Sequence, residues 1–152
     1  NRAIVEPVNK FCSKNQYKKF MSEVNSFEEM IMNDGIQLIK FYFSINKEEQ
    51  AKRLKEVRKN PLKKWKISKL DMKALDLWDD YTYYKEEMFK ATNRNNAPWV
   101  ILDANDSLDA RLEAMRYVLS DKYKKAAVDN GFTEEQGVAM LEYAVILQEM
   151  KE

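Results

Sequence analysis

Residues 48–71 read EEQAKRLKEVRKNPLKKWKISKLD and hold nine Lys and Arg residues, one Pro and one Trp. Cations at this density are a device for gripping a polyanion. The plain alternative is a solvated helix face. Against it, the cations continue through residues 61–69, a stretch with no acid of its own. Crowded like charges repel, so that arrangement is better satisfied with an anion present. Arg53 and Arg58 lie five positions apart, about 140° around a helix, so they diverge and line a channel rather than form one clamp.

Other groups narrow the chemistry. Residues 71–87 carry six carboxylates and two lysines, which can pair with the basic stretch as well as with ligands. The turn Asp103-Ala104-Asn105-Asp106 follows an apolar run. It offers amides and acceptors to a base or sugar, or else simply caps a helix. Histidine is absent, which excludes a Ser-His-Asp triad and a phosphohistidine intermediate within these residues. The lone Cys12 makes no internal disulfide and no thiolate zinc cluster, and it fits a reducing cytoplasm. Glycines at 35, 131 and 137 cannot build a G-x-x-x-x-G-K phosphate loop. The tools that remain are carboxylates, lysines, arginines and a hard cation such as magnesium.

The elements that must position these groups follow from periodicity and caps. Residues 1–12 read as an irregular lead-in with Pro7 as a breaker. Ser13 with Gln16 has capping-box spacing ahead of Tyr17, Phe20, Met21 and Val24. Ser26 with Glu29 has the same spacing and predicts a second, shorter helix ending at Gly35. Residues 36–45, IQLIKFYFSI, predict a strand covered on both faces, with Gln37, Lys40 and Ser44 as interruptions. Asn46 caps the next helix, with Glu49 at the capping-box position, and Pro61 closes it. Ser68 with Asp71 opens a long helix to about residue 91. Trp78, Tyr81 and Tyr84 fall on its inward stripe, so these aromatics read as packing in preference to a base-stacking platform. Residues 99–104 predict a second buried strand. Ser107 starts a helix to about residue 125, and Thr133 with Gln136 caps a last one carrying Val138, Leu141, Val145 and Leu147.

At 152 residues with a net charge of +1, the chain reads as one ordered, helix-rich domain without a membrane span or signal peptide. Two strands joined by a long helical crossover look like parallel neighbours in an α/β sheet. Two are too few for a stable parallel sheet, so the expectation is that a missing portion or a partner completes it.

These residues carry a resemblance. Asn1-Arg2-Ala3, Val5-Glu6 and Phe11-Cys12 resemble the end of the Walker B segment of the polyphosphate kinase 2 family and the helix after it. Glu48-Glu49-Gln50, Arg53, the run from Asn60-Pro61-Leu62-Lys63-Lys64-Trp65-Lys66 to Ile67-Ser68, Asp71, Trp78 and Tyr81 resemble its lid. Ala97-Pro98-Trp99, Ala104-Asn105-Asp106 and Arg111 resemble its last strand and turn. The resemblance covers about residues 1–123.

The resemblance implies an α/β fold: the C-terminal part of a P-loop kinase three-layer sandwich. Here that part is mostly helical, with two buried parallel strands and a helical lid. The implied division is core at 1–46, lid at 47–92, last strand and helix at 93–125, and a C-terminal extension at 126–152. The implied activity is magnesium-dependent phosphoryl transfer between inorganic polyphosphate and a nucleoside mono- or diphosphate. The P-loop and Walker B aspartate of that family would lie upstream of Asn1, so the chain alone is expected to be an inactive fragment.

Arg2, Arg53, Arg58, Lys63 and Lys66 are the expected phosphate contacts. Glu6 is expected to order magnesium-bound water, with Arg2 beside it as the catalytic pair. Trp65 and Asp71 are expected to be structural within the lid, and Asn105 and Asp106 to lie on the nucleotide side. No residue is assigned as a metal ligand. The expected partners are polyphosphate and a nucleotide, together with a second copy or the missing N-terminal portion. Neither a membrane nor nucleic acid is expected, and the expected location is the cytoplasm. The alternative is a non-catalytic module that binds nucleic acid or another polyanion.

Overall fold

The computed structural model describes residues 2–139. It resolves into two compact units, residues 1–101 and 102–152. The first begins with α1 (Val5–Val8) and α2 (Lys14–Asn33), followed by β1 (Lys40–Ser44) and α3 (Lys47–Lys59). A 3-10 turn (Lys64–Lys66), α4 (Lys69–Lys73) and α5 (Trp78–Thr92) follow, and β2 (Trp99–Asp103) starts in the first unit and ends in the second. β1 and β2 are parallel neighbours in a two-stranded open sheet.

Local chemistry explains most of these boundaries. Ser13 forms the expected capping box with Gln16. Gly35, at φ 86°, turns the chain after α2, while the Ile36 N–H reaches the Ile31 carbonyl at 3.2 Å. That positive φ is the requirement for glycine, since a Cβ there would meet nothing within 4 Å. The Asn46 side chain accepts from the Glu49 N–H at 2.7 Å and starts α3. Ser68 and Asp71 form a full capping box at α4.

Three expectations need correction. Pro7 does not break the chain but sits inside the short helix α1, because a proline in the first turn removes only an N–H that had no helical partner. Ser26 starts nothing, since α2 runs unbroken through it. Capping-box spacing matters only where the cap residue leaves helical φ/ψ, and no Gly or Pro lies between residues 14 and 33 to force that. The long helix predicted from Ser68 is two, α4 and α5, separated by a turn at residues 74–77. Asp79 and Asp80 in the first turn of α5 favour a fresh start there, through their charge at the positive helix end.

The strands are shorter and less covered than expected. Residues 36–39 lie outside β1, and Phe43 and Ile101 are exposed on the sheet. The one β1 side chain that is fully buried is the interruption, Lys40. Its ammonium donates to the Glu28 carboxylate at 2.9 Å and to the Thr92 carbonyl at 2.6 Å, and lies 5.4 Å from the centre of the Trp99 ring. A buried charge is tolerated when paired and hydrogen-bonded in this way.

The core of the unit forms where Ala3, Ile4 and Met88 are buried among Phe20, Met21, Tyr42, Tyr81, Tyr84, Phe89 and Trp99. Its aromatics meet edge to face: Tyr42 with Phe89 at 5.1 Å, Phe89 with Trp99 at 5.5 Å, and Tyr17 with Tyr84 at 5.3 Å. Each such pair contributes about 0.5–1.5 kcal/mol beyond its buried area. Trp78, Tyr81 and Tyr84 are thus partly buried, as their spacing predicts, while Tyr83 remains exposed.

The second unit contains α6 (Ser107–Asp129), longer than expected, which ends at Gly131 with φ 81°. Ala110 and Ala127 are buried positions among its described residues. Thr133 and Gln136 exchange capping hydrogen bonds at 3.2 and 2.8 Å ahead of a helix at residues 134–139. The expected inward positions Leu141, Val145 and Leu147 lie outside the described residues. No helix among those described is long and apolar enough to cross a membrane.

Candidate functional site

The basic segment is built from the end of α3 onward. Arg58 and Lys59 occupy the last turn of α3, where the negative end of the helix dipole favours cations. Beyond the C-cap, the Asn60 carboxamide accepts from the Leu62 N–H at 3.0 Å, and the Lys63 N–H bonds the Asn60 carbonyl at 3.0 Å. The Trp65 indole N–H donates to the Leu62 carbonyl at 2.9 Å. These local bonds fold residues 60–66 into a knuckle on which Pro61, Leu62, Lys63, Trp65 and Lys66 are exposed. Leu62 is 84% exposed and Trp65 79%. The Lys66 ammonium lies 5.6 Å from the centre of the Trp65 ring. Trp65 therefore does not pack the segment onto the rest of the unit; it braces only its own turn. Asp71 accepts from the Ser68 N–H at 2.8 Å and its hydroxyl at 2.7 Å.

The expected site residues fall into distinct states. Arg58, Lys63 and Lys66 are exposed and have no carboxylate partner among the described residues. Arg53 is committed: its Nε donates to Glu49 at 2.8 Å, with Lys52 on the same carboxylate at 3.4 Å. The Arg53 hydrogen bond, reinforced by Lys52, holds the Glu49 carboxyl below its ordinary pKa. Glu49 thus spends its carboxylate on Arg53 and Lys52.

Arg2 and Glu6 are brought together as an ion pair at 2.8 Å. That hydrogen bond raises the Arg2 pKa. Glu6 is thus held beside Arg2, the residue expected to act with it. Among the described residues no group of three or more Asp, Glu, His or Cys could hold a metal ion. Magnesium takes few protein carboxylates but near-ideal octahedral oxygen geometry. An ion held mainly through phosphate oxygens and water needs no such group. Asn105 and Asp106 belong to the other unit. Asp106 is the N-cap of α6, its Oδ1 accepting from Leu108 and Asp109 N–H groups at 2.8 and 3.2 Å. The Asn105 N–H donates to Asp103 Oδ1 at 2.9 Å.

A cavity in the first unit escaped the sequence reading. It has a volume of about 270 Å³ and lies at the C-terminal end of β1. Tyr42, Phe43, Trp78 and Tyr81 contribute aromatic walls, and Ser44, Gln50, Thr82 and Lys85 contribute polar groups. Burial raises the Tyr42 pKa, so its hydroxyl stays protonated. The lining comes from five separate segments, so no local spacing announces it. The only sequence signal was the rule that α/β sheets bind ligands beyond the carboxyl ends of their strands.

The profile of the polyphosphate kinase 2 family matches residues 1–130. The chain belongs to the polyphosphate kinase 2 family. It is 45% identical over 120 residues to ADP-polyphosphate phosphotransferase 1 of Rhizobium meliloti, covering 79% of this chain and 40% of that protein. It is 48% identical over 120 residues to NDP-polyphosphate phosphotransferase 2 of Ruegeria pomeroyi, covering 79% of this chain and 35% of that protein. Among solved structures it resembles polyphosphate kinase 2 from Arthrobacter aurescens, with a TM-score of 0.66 and 29% identity over 72% of this chain and 39% of that one. The chain thus spans well under half the length of these relatives. Membership in the polyphosphate kinase 2 family matches the two-stranded parallel sheet with its helical cover and the basic segment that follows β1.

Proposed function

We propose that this chain is the polyphosphate-gripping part of a phosphotransferase that moves phosphoryl groups between inorganic polyphosphate and a nucleotide. The observation that carries this reading is the basic knuckle: Arg58, Lys63 and Lys66 stand exposed and without carboxylate partners among the described residues. Phosphoryl transfer is mostly positioning and charge neutralisation. A polyphosphate chain presents about one negative charge per unit, and a row of uncommitted cations neutralises it without first breaking ion pairs. Arg2 and Arg53 can join once phosphate oxygens compete with Glu6 and Glu49 for them. They serve as reserve contacts, and Arg58, Lys63 and Lys66 as primary ones. Magnesium belongs to this reading as an ion carried on the phosphates, and self-association or a nucleotide partner as features of the whole enzyme. Because no Gly-rich phosphate loop occurs in these 152 residues, they bind polyphosphate without turning ADP into ATP on their own.

The competing reading is a nucleic-acid module, since cations and an exposed Trp also suit single strands. Competition separates the two. Polyphosphate prebound to the chain should resist displacement by an equal phosphate concentration of single-stranded oligonucleotide. Easy displacement transfers support to the nucleic-acid reading.

A further inference from the structure

Among the described residues the backbone enters the left-handed region at Lys10 with φ 58°, at Gly35 with φ 86° and at Gly131 with φ 81°. Each of the three closes a helix in the same way. After α2 the Ile36 N–H bonds the Ile31 carbonyl at 3.2 Å and the Gly35 N–H the Met32 carbonyl at 3.0 Å. After α6 the Phe132 N–H bonds the Ala127 carbonyl at 2.9 Å and the Gly131 N–H the Val128 carbonyl at 3.0 Å. After α1 the Phe11 N–H bonds the Glu6 carbonyl at 2.8 Å and the Lys10 N–H the Pro7 carbonyl at 3.3 Å. This paired bonding favours glycine at the left-handed residue, because a Cβ there crowds the following carbonyl. Two of these ends have glycine, and α1 has a lysine.

The strained turn is held in place from outside. The Asn9 side chain donates to the Val5 carbonyl at 2.9 Å and to the Tyr81 hydroxyl at 2.7 Å, tying the turn to α5. Backbone strain persists where the surroundings over-determine it, and it clusters at functional positions. Local electrostatics do not offset it here. The helix α1 is four residues long, so its dipole offers little to a cation, and Lys10 is exposed with no carboxylate partner among the described residues. The turn closes on Glu6, whose carboxylate holds Arg2, one of the expected phosphate contacts.

We propose that Lys10 is a further phosphate-binding residue, its ammonium presented to phosphate oxygens by the left-handed turn that ends α1. Lysine is a compact charge with three donors on a flexible stem, which suits an anionic chain of variable geometry. The proposal rests on the phosphate-gripping function above and adds to it a cation outside the basic knuckle. Polyphosphate and the phosphates of a nucleotide offer the same oxygens, so both are tested.

The whole chain is compared with Lys10→Gly, Lys10→Arg and the control Lys18→Gln, which removes an exposed lysine inside α2. Each is titrated calorimetrically with long-chain polyphosphate and separately with ADP, at two salt concentrations. Lys10→Gly relieves the turn, so it should be at least as stable to heat as the parent. It should nevertheless bind at least one ligand about fivefold more weakly, with a shallower salt dependence. Lys10→Arg keeps the charge and should bind nearly as the parent does, as should Lys18→Gln. A loss with polyphosphate alone assigns Lys10 to that chain, and a loss with ADP alone assigns it to the nucleotide's phosphates. The proposal is overturned if Lys10→Gly binds both ligands as tightly as the parent, or if Lys10→Arg or Lys18→Gln loses as much as Lys10→Gly. Those results leave the phosphate-gripping reading standing, whereas a parent chain that binds neither ligand overturns both.

Discussion

Lys40 shows how much one side chain can carry. In the sequence it was an interruption in an apolar run; in the structure it is the buried member of β1, tied to α2 through Glu28, to the end of α5 through Thr92 and to β2 through Trp99. Those partners lie 12 and more positions away, so nothing local revealed them. Caps were different. Ser13, Asn46 and Ser68 were legible because their partners lie three residues on. Removing one member of a buried pair strands the other, whereas replacing both with apolar groups can be neutral. Lys40→Met should therefore lower unfolding stability by about 3 kcal/mol, and Lys40→Met with Glu28→Leu should recover most of it. Urea denaturation of both variants checks this, and equal losses would show that the pair is not coupled.

Elements were legible in kind and less so in their limits. Helices and strands came from periodicity, while Pro7, Ser26 and the break at residues 74–77 were misread because each depends on backbone conformation that residue type alone does not dictate. The helix α3 is the element on which the basic segment is mounted, and its first turn is held by Asn46 and by the Glu49 pair with Arg53 and Lys52. The Glu49 carboxyl titrates lower in the folded chain than its ordinary value of 4.5. A carboxylate of this sign contributes stability above its unfolded pKa and loses it as pH falls through the folded one. The first turn of α3 should therefore loosen as pH drops below about 4.5, read as a fall in local amide protection at residues 49–53. Glu49→Gln should remove that acid step. A parent and variant with the same pH profile would assign the loosening elsewhere.

At the scale of the molecule, the candidate site was partly written in the sequence. The basic run of residues 48–71 was visible as composition and as a family motif. The structure sharpened it by sorting the cations: Arg53 is paired, while Arg58, Lys63 and Lys66 have no carboxylate partner among the described residues. The cavity was not visible, because segments as distant as Ile4 and Lys85 meet in it. As proposed, polyphosphate is gripped by Arg58, Lys63 and Lys66. Calorimetric titration of the chain with long-chain polyphosphate, against the variant carrying Arg58→Gln, Lys63→Gln and Lys66→Gln, tests it most directly. This variant should stay folded, lose at least tenfold in affinity and show a shallower dependence of affinity on salt, by roughly one unit of slope per cation removed at most. Unchanged affinity and unchanged salt slope in a folded variant would contradict it.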